Sequence, residues 1–315
     1  MKTCLIYGHN GLDLDVTMNL RSFYKSLGFK VFFSDRLYKA DLLVVLRAVD
    51  KSINLEPFNF SVIHIFDYGG WDYDNFITSI DYTKTYIYCT SSSKRIKIIE
   101  TTGFPEQQIF VTLPPVDIDL WTSKAKSKIF DFIHIGNFKP YTDDDLIRSK
   151  FINAVHQFKA NIWGLGWTLK NLSKGLYHGK LGLFNVSKVY SKAKFSFGLM
   201  YPFQRNVTFS GRFWHAPLNG CYVFSEIGYY TNIMPGVIET DYSIEDIKSK
   251  IVVTEDILLL KQKAVIFWTN QNIQTKVVIM PSLERIKTNI NFIKVANYIL
   301  ISTFNKLRII YQYLP

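Results

Sequence analysis

The chain has 315 residues, is 48% hydrophobic and 20% charged, and carries a formal net charge of +11. This is the composition of a folded protein with ample core; with only three cysteines it excludes a disordered chain and a disulfide scaffold. The positive excess points to an anionic partner, whether nucleic acid, phosphorylated small molecule or acidic membrane surface.

In chain order, residues 3–7 read as a strand, 8–11 as a turn, and 16–27 as a helix that ends at Gly28. The start lacks the long apolar region of a signal peptide, and no stretch approaches the ~18 uninterrupted apolar residues of a membrane span. Residues 30–33, 42–46, 62–66 and 85–89 are further strands, continuous and β-branched or aromatic as in buried parallel sheets. Ser91 to Ser93 cap a helix running to about Thr102, and 109–113 adds a strand. Alternating strand and helix implies right-handed crossovers and a doubly wound sheet.

Pro114 and Pro115 then interrupt the pattern, since two prolines continue neither helix nor central strand. Residues 123–128 are polar and basic and read as a linker. The pattern restarts with a strand at 131–135, a turn at Gly136-Asn137, a helix over 143–158, and strands at 161–164, 195–199 and 221–225. The expected fold is α/β, with two Rossmann-like domains (1–122 and 123–289) facing across a cleft. Residues 290–315 show helical spacing of large apolar residues among cations. That basic amphipathic helix either packs over the domain junction or lies on anionic lipid. Cys4, Cys89 and Cys221 sit far apart in strand-like runs, so free buried thiols and a reducing compartment are expected.

Charge is unevenly spread. Between Asp145 and Glu226 there is no acid, yet eleven Lys and Arg residues occur there. A solvated face mixes signs; this interval reads as a positive field serving a diphosphate. Within it, the order is a helix (187–194), a strand, a polar loop, a second helix at Arg212, a turn at Gly220 and a strand ending before Glu226. Backbone N–H groups near Gly211 and the Arg212 cation at a helix start favour phosphate.

This order resembles the nucleotide-binding domain of GT-B glycosyltransferases, especially the group 1 and CgeB-like branch. Arg212, Ala216, Gly220 and Glu226 match that pattern's "tfR.fEa.a.G...l.e" segment. Gly136-Asn137-Phe138 matches its first turn, Trp163-Gly164-x-Gly166-Trp167 a later strand end, and Leu113 to Asp117 its interdomain element. The resemblance covers about residues 85–255. It implies a nucleotide-sugar donor held by Gly136, Asn137, Lys139, Gly164, Trp167, Arg205, Gly211, Arg212, His215 and Glu226. His215 stands where the group 1 pattern has Glu, so the group's retaining stereochemistry does not carry over directly.

Loops at the carboxyl ends of parallel strands face the ligand crevice. In the first domain that loop carries His9, Asp13 and Asp15, the candidates for a base that takes the acceptor's proton. Asp15 also suits an N-cap for a helix starting at Val16. Asp67, Tyr68 and Trp71, after another strand, suit sugar stacking and hydroxyl recognition. Gly8-x-x-Gly11 lacks the spacing of a dinucleotide fingerprint, and no P-loop is present. Neither Asp13-x-Asp15 nor Asp117-x-Asp119 sits at a late strand end, so no metal ion or other cofactor is expected. The reading is a metal-independent glycosyltransferase acting on a glycan or lipid-linked acceptor. It is cytoplasmic, and peripheral on the inner face of a membrane if the last helix binds lipid. A nucleic-acid-binding protein and an inactive GT-B scaffold are the alternatives; nucleic acid is not the expected partner, because most aromatics lie in apolar strand runs.

Overall fold

A computed structural model describes residues 2–8, 14–34, 36–46, 58, 60–65, 73–123, 127–138, 146–167, 176–200, 210–226, 233–252 and 256–284. The first sheet has six parallel strands: β1 (Thr3–Tyr7), β2 (Lys30–Ser34), β3 (Leu42–Val45), β4 (Phe60–Ile65), β5 (Thr85–Cys89) and β6 (Ile109–Val111). Their spatial order is β2-β1-β3-β4-β5-β6. Helices α1 (Leu14–Ser26), α2 (Tyr73–Thr78) and α3 (Ser92–Thr102) connect them. Side chains alternate across the sheet: Cys4, Ile6, Val44 and Val62 pack with α1, while Leu5, Leu43, Val45 and Ile63 pack with α2 and α3. Ser91 accepts the Lys94 N–H, and Gly103 ends α3 with φ +66° in the left-handed region.

After the short helix α4 (Ile118–Trp121), the second sheet uses β7 (Phe130–Ile135), β8 (Asn161–Trp163), β9 (Ala193–Phe197), β10 (Tyr222–Ser225) and β11 (Val237–Glu239). These are parallel, in the order β11-β10-β9-β7-β8. Helices α5 (Leu146–Gln157), α6 (Leu183–Ser191), α7 (Arg212–His215) and α8 (Ile244–Ile251) lie between the strands. One face is an aromatic stack of Phe132, Phe195, Phe197 and Phe224. The other joins Ile133, Val223 and Cys221 to the segment between the sheets and to α1, through Val16 and Met18.

The helix α9 (Ile257–Glu284) ties the two halves together. Asp256 caps its start by accepting the Leu258 N–H at 2.7 Å. Leu260, Ala264 and Trp268 enter cores of the second sheet, and Ile279 and Leu283 enter a core of the first. Midway, Asn272 bonds both backbone groups of Val116 (2.8 and 2.7 Å), and Thr275 donates to the Leu113 carbonyl at 3.2 Å. The double proline is thus stapled to α9. Exposed Leu258, Leu259, Ile266 and Val277 on the opposite side blur the helical period of this stretch.

Two local expectations change. The first helix starts at Leu14, so Asp15 lies inside its first turn and not at the cap. Lys128 is no solvated linker residue: its amine donates to the carbonyls of Asn219 and Gly220 at 3.0 and 2.8 Å. All three cysteines are free and buried. Among the described residues no helix is long and apolar enough to cross a membrane. The expected helix over 290–315 lies outside the described residues.

Candidate active site at the facing sheet ends

In both sheets the first strand lies between the second and the third, so the connections leave in opposite directions and open a crevice beyond the strands' carboxyl ends. In the second sheet this point falls between β7 and β9. Arg212 occupies it. Its Nε donates to the Ile135 carbonyl at 3.0 Å and its Nη1 to the Leu199 carbonyl at 2.9 Å, so the guanidinium bridges the ends of both strands. Its Nη2 lies against Gly136, 2.5 Å from where a Cβ would stand.

Around this cation the expected donor residues form a close-knit rim. Gly136 N–H donates to the Trp163 carbonyl (2.9 Å) and Phe138 N–H to Leu165 (2.7 Å). Asn137 accepts the Leu165 N–H at 2.8 Å, and the Trp167 indole donates to the Gly136 carbonyl at 2.8 Å. Only glycine permits this approach: a Cβ on Gly164 would stand 2.0 Å from the Gly136 oxygen, and one on Gly166 2.1 Å from the Phe138 oxygen. Both glycines also have positive φ, +146° and +81°. Glu226, buried after β10, accepts the Met200 N–H at 3.0 Å and so holds the chain leaving β9.

His134, next to last in β7, was not singled out in the sequence. Its Nδ1 donates to the Phe197 carbonyl at 2.8 Å, which leaves Nε2 beside Gly136 and Arg212. Burial, with Arg212 nearby, pushes its pKa down to about 3, so the ring is neutral and Nε2 is an acceptor. A lone histidine in an apolar strand reads as core; the signal was its place one residue before the strand's end.

The opposite wall comes from the first sheet. The next helix, α1, starts at Leu14, and Asp15 in its first turn reaches the second domain. Its Oδ2 lies 3.5 Å from His215 Nε2 and 2.7 Å from where a Gly211 Cβ would stand. Its Oδ1 accepts the Val16 N–H at 2.9 Å. His215 is buried against Trp121, ring centroids 4.6 Å apart, and near Tyr190. Neither of its ring nitrogens makes a hydrogen bond among the described residues, so Asp15 is the polar group its Nε2 faces. The wall is braced nearby: Asn19 of α1 accepts from the Asp117 N–H and the Trp121 indole, at 2.9 and 2.6 Å.

Of the sequence candidates, Gly136, Asn137, Gly164, Trp167, Gly211, Arg212, His215 and Glu226 thus gather at the carboxyl ends of β8, β7, β9 and β10, and Asp15 faces them. His9, Asp13, Lys139, Arg205, Asp67, Tyr68 and Trp71 lie outside the described residues. Two cations of the acid-free interval are paired with acids from outside it, Lys150 with Asp241 and Lys194 with Asp131.

No family model matches the chain, and no curated protein is similar to it in sequence. Its likeness to known proteins is one of three-dimensional form. A glycosyltransferase involved in avilamycin A biosynthesis matches with a TM-score of 0.61 at 14% identity, covering 90% of this chain and 98% of that one. An α-glucosyltransferase, in complex with UDP-glucose and DNA containing an abasic site, matches with 0.58 at 11% identity, over 91% and 99%. T4 phage BGT in complex with its UDP-glucose substrate gives 0.53 at 14%, over 93% and 100%. The fold is GT-B. At such identities the likeness concerns architecture, and the chemistry must be argued from the residues. Among the described residues there is no group of three or more His, Cys, Asp or Glu that could hold a metal ion.

Proposed function

We propose that this chain is a nucleotide-sugar-dependent glycosyltransferase, near the group 1 and CgeB-like enzymes, acting on a hydroxyl of a glycan or lipid-linked acceptor. The observation that carries this is the meeting of two switch-point crevices, one set with the Arg212 cation and the other with the Asp15 carboxylate. The donor diphosphate lies along Gly136, Gly211 and Arg212, with Arg205 and Lys139 assisting. The rest of the zipped rim, Asn137, Gly164 and Trp167, shapes the nucleoside end, and His215 and Glu226 support the site from beneath. The acceptor enters from the first domain, where Asp67, Tyr68 and Trp71 are the contact candidates.

Transfer forms a bond from the acceptor oxygen to the anomeric carbon and breaks the bond from that carbon to the diphosphate. The diphosphate leaves with the electron pair, and Arg212 and backbone N–H groups offset its charge. The acceptor's proton passes to a base. Asp15 is the best placed of His9, Asp13 and Asp15, since it lies within reach of the phosphate wall at Gly211. His215 faces it from behind, its Nε2 3.5 Å from Oδ2, and is the positioning residue for the carboxylate. This chemistry inverts the anomeric centre and needs no metal ion.

The test is nucleoside diphosphate release from a panel of UDP-, GDP- and dTDP-sugars, with and without glycan or lipid-linked acceptors, repeated in EDTA. Acceptor-dependent release that persists in EDTA and gives an inverted product is expected. No sugar nucleotide bound, together with steeply salt-dependent binding to random oligonucleotides, would favour the nucleic-acid reading instead.

A further inference from the structure

Among the described residues the first sheet ends in β2, an edge strand with one neighbour, β1. Edge strands are commonly blunted with charge or kept free of large apolar side chains. This one does the reverse. Phe32 and Phe33 are 45% and 40% exposed, and Leu37 and Tyr38, just beyond the strand, are 39% and 58% exposed. Four large apolar side chains are thus exposed within seven positions, denser than the scattered exposure of an ordinary surface.

Cations surround it. Residues 16–40 contain Arg21, Lys25, Lys30, Arg36 and Lys39 against one acid, Asp35. Lys30 Nζ lies over the Phe32 ring at 5.0 Å, and the Arg21 guanidinium over Phe33 at 5.8 Å. Successive strand residues point to opposite faces, so the two rings flank the strand as a ridge and do not line a groove.

We propose that this ridge docks the protein on an anionic lipid surface. Aromatic side chains beside lysine and arginine suit the water–lipid interface, where rings enter the headgroup layer and cations meet lipid phosphates. The patch protrudes, so it does not enclose a peptide. A cation already covers one face of each ring, which hinders base stacking. Like charges along the edge oppose pairing with a second copy of the same strand.

The placement fits the function. Ser34 pairs in register with Tyr7, so the chain leaves β2 at the same end of the sheet at which it leaves β1 toward Asp15. A membrane under the ridge therefore lies beside the mouth of the cleft. This rests on the reading of the acceptor as lipid-linked, and it locates membrane contact apart from residues 290–315.

The test is co-sedimentation of the full chain with vesicles of phosphatidylglycerol and phosphatidylcholine, or of phosphatidylcholine alone. Three proteins are compared: wild type, Phe32→Ser with Phe33→Ser, and Arg36→Glu with Lys39→Glu. Wild type should partition to the anionic vesicles alone, and each double variant should lose about tenfold or more. Circular dichroism checks that they fold, and transfer to a soluble acceptor is measured separately. Lost vesicle binding with retained soluble transfer supports ridge and enzyme together. Lost vesicle binding in a chain that transfers nothing leaves the ridge standing and removes the glycosyltransferase reading. Unchanged vesicle binding in both variants, or ridge-dependent binding to oligonucleotides or to a second copy in place of vesicles, would overturn the ridge.

Discussion

The two sheets share the order second-first-third-fourth-fifth, yet they equip their switch points with opposite chemistry. The second places a guanidinium between two strand ends and zips two glycine turns around it. The first, among the described residues, sends the Asp15 carboxylate across to the partner domain. One topology thus places a guanidinium on one side and a carboxylate on the other, and the proposed division of labour, anion binding against base, lies in the residues placed at equivalent ends.

The comparison breaks most sharply at Asp15. Asp15→Asn keeps the shape and removes the base, so turnover should fall about 10²–10⁴-fold with nucleotide affinity retained. Steady-state kinetics beside calorimetric binding checks this; wild-type turnover would return the role to His9 or Asp13. On the other wall the zipped rim is the target. Gly164→Ala combines a 2.0 Å clash with backbone and a φ of +146°, so a loss of about 2–5 kcal/mol is expected in urea unfolding. Gly179, with φ +76° and open space around it, is the control; its alanine variant should lose only about 1–2 kcal/mol.

A smaller effect probes a feature the sheets share. His64 in β4 and His134 in β7 are both next to last in their strands, both buried, and both pushed by burial to a pKa of about 3. Unfolded histidine titrates near 6.5, so the unfolded chain binds more protons between those values. Stability is therefore full above about pH 6.5 and is lost as pH falls toward 3. Between pH 7 and 5 each histidine should cost about 2 kcal/mol, and His134→Phe should remove its share of that pH dependence, read by urea unfolding at both values.

The architecture was legible because both sheets use continuous apolar strands bounded by glycine or proline, a pattern that survives without neighbours. The rim was legible too, since Gly164 and Gly166 mark backbone contacts no other residue allows. Three things were not. The crossing helix α9 has apolar residues on its exposed side as well as its buried one, so its period is blurred. The Asp15–His215 contact joins residues 200 positions apart, and nothing local announces it. Arg212 was expected at a phosphate; its two carbonyl bonds show a structural duty that only the assembled strand ends reveal.

The central claim is that the second sheet's carboxyl ends hold a nucleotide diphosphate. Isothermal titration of the best-bound sugar nucleotide into wild type, Arg212→Lys and Arg212→Ala tests it most directly. Saturable one-to-one binding is expected, weakened about tenfold or more in Arg212→Ala and less in Arg212→Lys, which keeps the charge. Equal affinity in all three folded proteins would contradict it.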